Sequence, residues 1–182
     1  MTDDNIPFGW KRSARAGLTF RPITDDDNWF LSRVYAWSRM DELASSSLND
    51  LQKAGLLLLQ HRAQHAHFLQ HYPQADMLVV MGSGYEIGRL YLARWPTRHG
   101  IIDLTLLPEF RRHGAGGVIL RDLTEEAAAA GKDVSVLLDK FDPAMQLYRR
   151  LGFVIEEDKG VYDLMRWKPA RVAAAPVHGD ER

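Results

Sequence analysis

The sequence predicts a mixed α/β (α+β) domain built on one sheet, and three observations predict it. The apolar period changes once, near residue 74, from helical to strand-like. Beyond that point short β-like runs alternate with two further helical segments, giving the order β-α-α-β-β-β-α-β-α-β-β. A glycine-rich stretch, 114–117, falls between the end of one such run and the start of a helix.

The bulk numbers agree with one globular domain. A chain of 182 residues is long enough to bury a core of its own. Its apolar fraction of 46% and charged fraction of 26% are ordinary for a folded protein. A formal net charge of -1, without strong asymmetry, argues against nucleic acid or an anionic membrane as the main partner. With no cysteine, an acyl-cysteine intermediate, a thiolate metal site and a disulfide framework are all excluded. No apolar run, 56–59 included, is long enough to cross a bilayer. Lacking a disulfide signal and a secretory leader, the chain is expected to be cytoplasmic.

Residues 1–17 mix Pro7, Gly9 and Trp10 with basic residues in no period and read as a loose N-terminal arm. Residues 169–182, rich in Ala, read as a flexible C-terminal tail, which leaves 18–168 as the domain. Within it, 18–23 is a strand closed by Pro22 and the Thr24-Asp25-Asp26-Asp27 cluster, a helix start. The next helix puts Phe30, Val34 and Trp37 on one face. A second runs over 49–72 and stops before Pro73. Runs 77–81 and 86–95 flank Gly82-Ser83-Gly84 as a hairpin, and a strand follows over 100–107. A helix is expected from Gly117 to about residue 130, ended by Gly131. Strand 134–138, helix 143–151 and strands 153–156 and 162–167 complete about seven strands and four helices.

The chemistry-bearing stretch is 104–117. A strand ends at Leu107, and Gly114, Gly116 and Gly117 remove Cβ atoms where a backbone can approach a ligand closely. Free amides at a helix start, with the helix dipole, make an anion site, and Arg111 and Arg112 add positive charge. It is not a P-loop, since no Lys-Ser/Thr follows, and its spacing breaks the dinucleotide pattern. A flexible glycine turn stays open as the plain alternative.

Arg111-x-x-Gly114-x-Gly116 resembles the Arg/Gln-x-x-Gly-x-Gly/Ala signature of the GNAT superfamily of N-acetyltransferases. The segment Asp142-Pro143-Ala144-Met145-Gln146-Leu147-Tyr148-Arg149-Arg150-Leu151-Gly152-Phe153 resembles that family's Asn-x-Ala-x-x-Leu-Tyr-x-x-x-Gly-Phe. The resemblance implies a mostly antiparallel sheet of about seven strands, splayed between the fourth and fifth, here 101–107 and 134–138. It implies acetyl-CoA as cosubstrate, with Leu104, Thr105 and Leu106 offering backbone groups to the pantetheine arm. Arg111 brings charge, and Arg112, His113, Gly114, Ala115, Gly116 and Gly117 bring amides to the pyrophosphate. Asp142 replaces the family's Asn and cannot donate an amide hydrogen bond; capping the Pro143 helix is its firmer role.

Transfer of an acetyl group to an amine needs a neutral amine, a polarised carbonyl and a proton for the leaving thiolate. By the resemblance Tyr148 supplies that proton; packing beneath the sheet is the alternative. For the base the candidates are Asp103, on the same strand face as Thr105, and Asp41 with Glu42 at the end of the first helix. The pairs His61/His65 and His67/His71 point about 120° apart and cannot converge on one ion, so a solvated polar face is expected and no metal. Arg62 shares a helix face with Leu51, Leu58 and Leu69 and is a candidate partner for Asp41 or Glu42. The expected partner is an amine acceptor, small molecule or protein, with no nucleic acid and no membrane; a homodimer is left open. A non-catalytic acyl-CoA-binding module is the competing reading.

Overall fold

A computed structural model describes residues 9–170. Seven strands form one sheet in the order β1-β2-β3-β4-β5-β7-β6. They are β1 (Leu18–Pro22), β2 (Asp76–Gly82), β3 (Tyr85–Arg94), β4 (Arg98–Leu106), β5 (Asp133–Asp139), β6 (Val154–Lys159) and β7 (Tyr162–Trp167). Five helices flank the sheet: α1 (Lys11–Arg15), α2 (Asn28–Arg39), α3 (Asp50–His71), α4 (Ala115–Ala129) and α5 (Met145–Arg150). Every strand pair is antiparallel except β4 with β5.

Alternation along β3 divides the core. Leu90 and Leu92 join Ile119, Leu120 and Leu123 of α4 on one face. Arg89 and Tyr91 point to the other, where Arg89 meets Gln64 of α3 and Tyr91 stands edge-on to Phe68 at 5.7 Å. On that second face Phe30, Leu31 and Val34 of α2 pack on Val79 and Leu107. The β2–β3 turn has positive φ at both Ser83 (50°) and Gly84 (84°), the mirror-image turn that matches strand twist.

The parallel pair is short. β4 and β5 share four rungs, Arg98–Ile101 against 133–136, and pairing stops there. At the same place β4 carries a bulge: Tyr91 faces Asp103 but Leu92 faces Ile101, so Ile102 is the extra residue. A bulge bends its strand and raises local twist. Past it, residues 102–106 are all half-buried, while β5 turns to pair with β7 alone. The splay implied by the resemblance is therefore present, and the bulge is its local cause.

Four sequence expectations change. The first concerns the arm over 9–17, which is not loose. Trp10 is 2% exposed, donates from Nε1 to Glu126 at 2.7 Å and meets Phe20 edge-on at 5.2 Å. The Asp122 carboxylate caps α1 by accepting from the amides of Ser13 (2.7 Å) and Arg12 (3.1 Å). A five-residue helix is too short to show a period. Residues 1–8 and most of the expected tail, 171–182, lie outside the described residues.

Second, Trp37 is exposed; Leu31 and Tyr35 join Phe30 and Val34 as the buried side of α2. Third, α3 turns a partly polar face inward, with His61, Gln64 and His65 toward the sheet. Leu57 and His61 are buried, whereas Leu51 (84%), Leu59 (64%) and Leu69 (51%) are exposed, and Arg62 faces solvent with them. Fourth, α4 starts two residues before Gly117, at Ala115, so the last two loop glycines belong to its first turn.

Candidate active site

The candidate anion site lies at the N-terminus of α4. Gly114 caps the helix with φ of 90°, a left-handed conformation that penalises any Cβ. Arg112 also has positive φ (64°), uncommon for a residue with a side chain and concentrated at functional loops. The first helical backbone bond runs from Val118 N–H to the Gly114 carbonyl at 3.0 Å. The amides of Ala115, Gly116 and Gly117 thus have no helical partner and are free for an anion. A Cβ on Gly116 would only touch Leu147 (3.6 Å) and Leu106 (3.9 Å), so the fold itself has room for one. A shallow groove lies alongside, between His113, Gly114 and Ala115 and the Gly82–Ser83 turn. Arg111 donates from Nε to the Leu106 carbonyl at 2.7 Å.

The unpaired edge of β4 adjoins this loop. Leu104, Thr105 and Leu106 lie on it, beyond the last β5 rung. Asp103 and Thr105 share a face, as alternation predicts, and Thr105 Oγ1 donates to Asp103 Oδ1 at 2.6 Å. The other oxygen, Oδ2, accepts from Arg89 Nη2 at 2.7 Å. Both carboxylate oxygens are therefore engaged, which ties Asp103 to a fixed cation rather than leaving it a free base. Arg89 is 1% exposed and was missed by sequence reasoning. The available signal was an arginine in the middle of an apolar run, with an acidic residue on the next strand.

Tyr148 is 3% exposed, with its ring edge-on to Phe153 at 5.1 Å. Burial, reinforced by the charges of Asp142 and Asp103, pushes its phenol well above the ordinary tyrosine range. The hydroxyl stays protonated at any working pH and shares an electrostatic neighbourhood with Asp103. Asp142 acts as a local cap, its carboxylate accepting from Ala144 N–H at 2.7 Å. The helix proper begins at Met145, so Pro143 lies in the preceding turn rather than at the first helical position. Asp41 and Glu42 are exposed in a turn after α2, and Glu42 pairs with Arg39 at 2.6 Å. The structure groups Tyr148, Asp142 and Asp103 but leaves Asp41 and Glu42 at the surface.

The histidines separate. His67 and His71 lie on the exposed side, while His61 is 2% exposed and stacks on His65 at 5.9 Å under Tyr35. Burial first, then the charges of Arg89, His65 and Arg62, push the His61 pKa down to about 4. The expectation of a solvated polar face therefore fails for His61. Among the described residues no group of three or more His, Asp or Glu could hold a metal ion.

A splayed sheet, a left-handed helix cap and an open β4 edge together make a GNAT-like fold. A family model described as FR47-like protein matches residues 86–161, a span holding both motifs. PaiA N-acetyltransferase from Thermoplasma acidophilum, in complex with coenzyme A, superposes with a TM-score of 0.62 at 15% identity, over 83% of this chain and 98% of that one. YncA from Salmonella typhimurium, solved with its cofactor acetyl-CoA, gives 0.51 at 19%, over 87% and 97%. An acetyltransferase from Thermus thermophilus gives 0.57 at 18%, over 83% and 96%. No curated protein matches the chain in sequence. Among the described residues no helix is long and apolar enough to cross a membrane.

Proposed function

We propose that the chain is an acetyl-CoA-dependent N-acetyltransferase that moves the acetyl group directly to a primary amine. The observation that carries this reading is the junction of an unpaired β4 edge with the free amides of Ala115, Gly116 and Gly117. That arrangement suits a ligand with an extended amide-bearing arm and a pyrophosphate. Leu104, Thr105 and Leu106 would pair with the arm, and residues 112–117 would hold the diphosphate, with the charges of Arg111 and Arg112 nearby.

The amine nitrogen forms its bond to the thioester carbonyl carbon as the carbon–sulfur bond breaks. Tyr148, protonated at the outset, gives its proton to the departing sulfur and regains one, through water, from the nitrogen as the amide forms. The ammonium proton leaves beforehand to water beside Asp103, whose charge, fixed by Arg89, favours a cationic acceptor. Asp41 and Glu42, exposed near α2, would serve as a more distant acidic rim. A cysteine-free chain suits a reducing compartment, and the cytoplasm is the proposed location.

The test is thioester consumption with a panel of amines, together with thermal protection. Acetyl-CoA should raise the melting temperature more than pantetheine, which lacks the pyrophosphate. Protection by acetyl-CoA without consumption in the presence of any amine would favour the binding-module reading.

A further inference from the structure

Between α3 and the sheet lies a buried cation whose second partner is neutral and movable. Arg89 stands opposite Thr105 in the β3–β4 register. Its Nη2 donates both to Asp103 Oδ2 at 2.7 Å and to Gln64 Oε1 at 2.9 Å. Its Nε is buried without a hydrogen bond of ordinary geometry, with the equally buried Tyr91 hydroxyl as its neighbour, and His61 Nε2 and His65 Nδ1, whose rings lie within its electrostatic reach, are buried without a partner. A guanidinium N–H is always a donor, and burying one unsatisfied costs about 1–3 kcal/mol. Such a group is suited to an acceptor atom brought from outside.

Gln64 is half-buried and holds its place on Arg89 only through a neutral amide oxygen. A carboxylate makes a shorter, charge-assisted and bidentate contact with a guanidinium and would displace it. The Arg89–Asp103 pair also presents both signs side by side, next to the stretch of β4 that β5 leaves open. That is the charge pattern of a zwitterion. We propose that Arg89 anchors the carboxylate of an amino-acid acceptor, which takes the place of the Gln64 side chain and points its amine past Asp103 to the splay. The inference rests on the acetyltransferase reading and narrows its acceptor. The neutral imidazoles of His61 and His65 can each give one N–H to the incoming carboxylate.

The experiment compares acetyl transfer to amino acids with transfer to the matching amino alcohols and to lysine-bearing peptides. Wild-type kcat/KM should favour the amino acids by roughly tenfold or more. Gln64→Glu sets a fixed carboxylate on the guanidinium, so KM for amino acids should rise by roughly tenfold while the acetyl-CoA Kd holds. Gln64→Ala removes the placeholder and should keep the preference. Equal kcat/KM for acid and alcohol, or transfer to peptides alone, or an unchanged KM in Gln64→Glu, overturns the inference and leaves acetyl transfer standing. Acetyl-CoA binding with no transfer to any amine overturns both.

Discussion

Arg89 Nη2 donates to Asp103 Oδ2 at 2.7 Å across adjacent strands, while Thr105 closes the other carboxylate oxygen at 2.6 Å. Removing one partner of a buried pair leaves the other charge uncompensated, which costs about 3–5 kcal/mol. Asp103→Asn should therefore lower the urea midpoint and depress acetyl transfer in parallel at every pH. A loss concentrated at low pH, where the protonated amine most needs a base, would reassign Asp103 as the proton acceptor.

Tyr148→Phe deletes a hydroxyl and keeps the ring contact with Phe153 at 5.1 Å. Proton donation to a leaving group contributes about 10²-fold or more. Turnover should fall by roughly that factor with acetyl-CoA affinity intact, because the bond to sulfur strengthens as thiolate charge develops. Steady-state kinetics beside calorimetry checks it, and wild-type kcat would leave water as the acid.

Gly114 and Gly116 should separate fold from ligand. Gly114→Ala forces a side chain into φ of 90° and should destabilise the protein by about 1–2 kcal/mol. At Gly116 the backbone is not left-handed, and a Cβ meets only ordinary contacts at 3.6 and 3.9 Å. Gly116→Val should leave the protein folded and weaken CoA by roughly tenfold or more, since a branched side chain beside the free amides crowds the close approach of a diphosphate. An unchanged Kd by calorimetry would move the diphosphate elsewhere.

His61 gives the fold an acid sensitivity. Its pKa falls from 6.5 in the open chain to about 4 in the folded protein. Between those values the unfolded state binds more protons, so stability is full above 6.5 and declines as pH falls toward 4. The loss is on the order of 3 kcal/mol at most. His61→Leu should flatten urea midpoints across that window; an unaltered slope would show that another group titrates there.

The sheet was legible because strand period and turn chemistry agree along β2, β3 and β4, and the anion loop because three glycines follow a strand end. What escaped had physical causes. Trp10 joins the core through contacts more than a hundred residues away, as with Glu126, which no local window holds. Helix α3 misleads because hydropathy assigns its leucines to the inside, while the space beneath it is filled by Arg89, Gln64 and His61. A polar interior is paired residue by residue, and pairing across strands leaves no period. The candidate site residues divide the same way: the loop is contiguous and readable, whereas the Arg89–Asp103 pair exists only after β3 and β4 align.

The four rungs between β4 and β5 also bear on assembly of the chain. On either side of them the sheet is a locally connected antiparallel block, β1 to β4 and β5 to β7, with a single crossover through α4 between the two. Within each block most neighbouring strands are also neighbours in sequence, so closing them costs little chain entropy. Joining the blocks brings together strands separated by the whole α4 crossover, a longer closure than any hairpin. The gap between β4 and β5 is thus the unpaired remainder of the one seam in the sheet that joins two blocks distant in sequence.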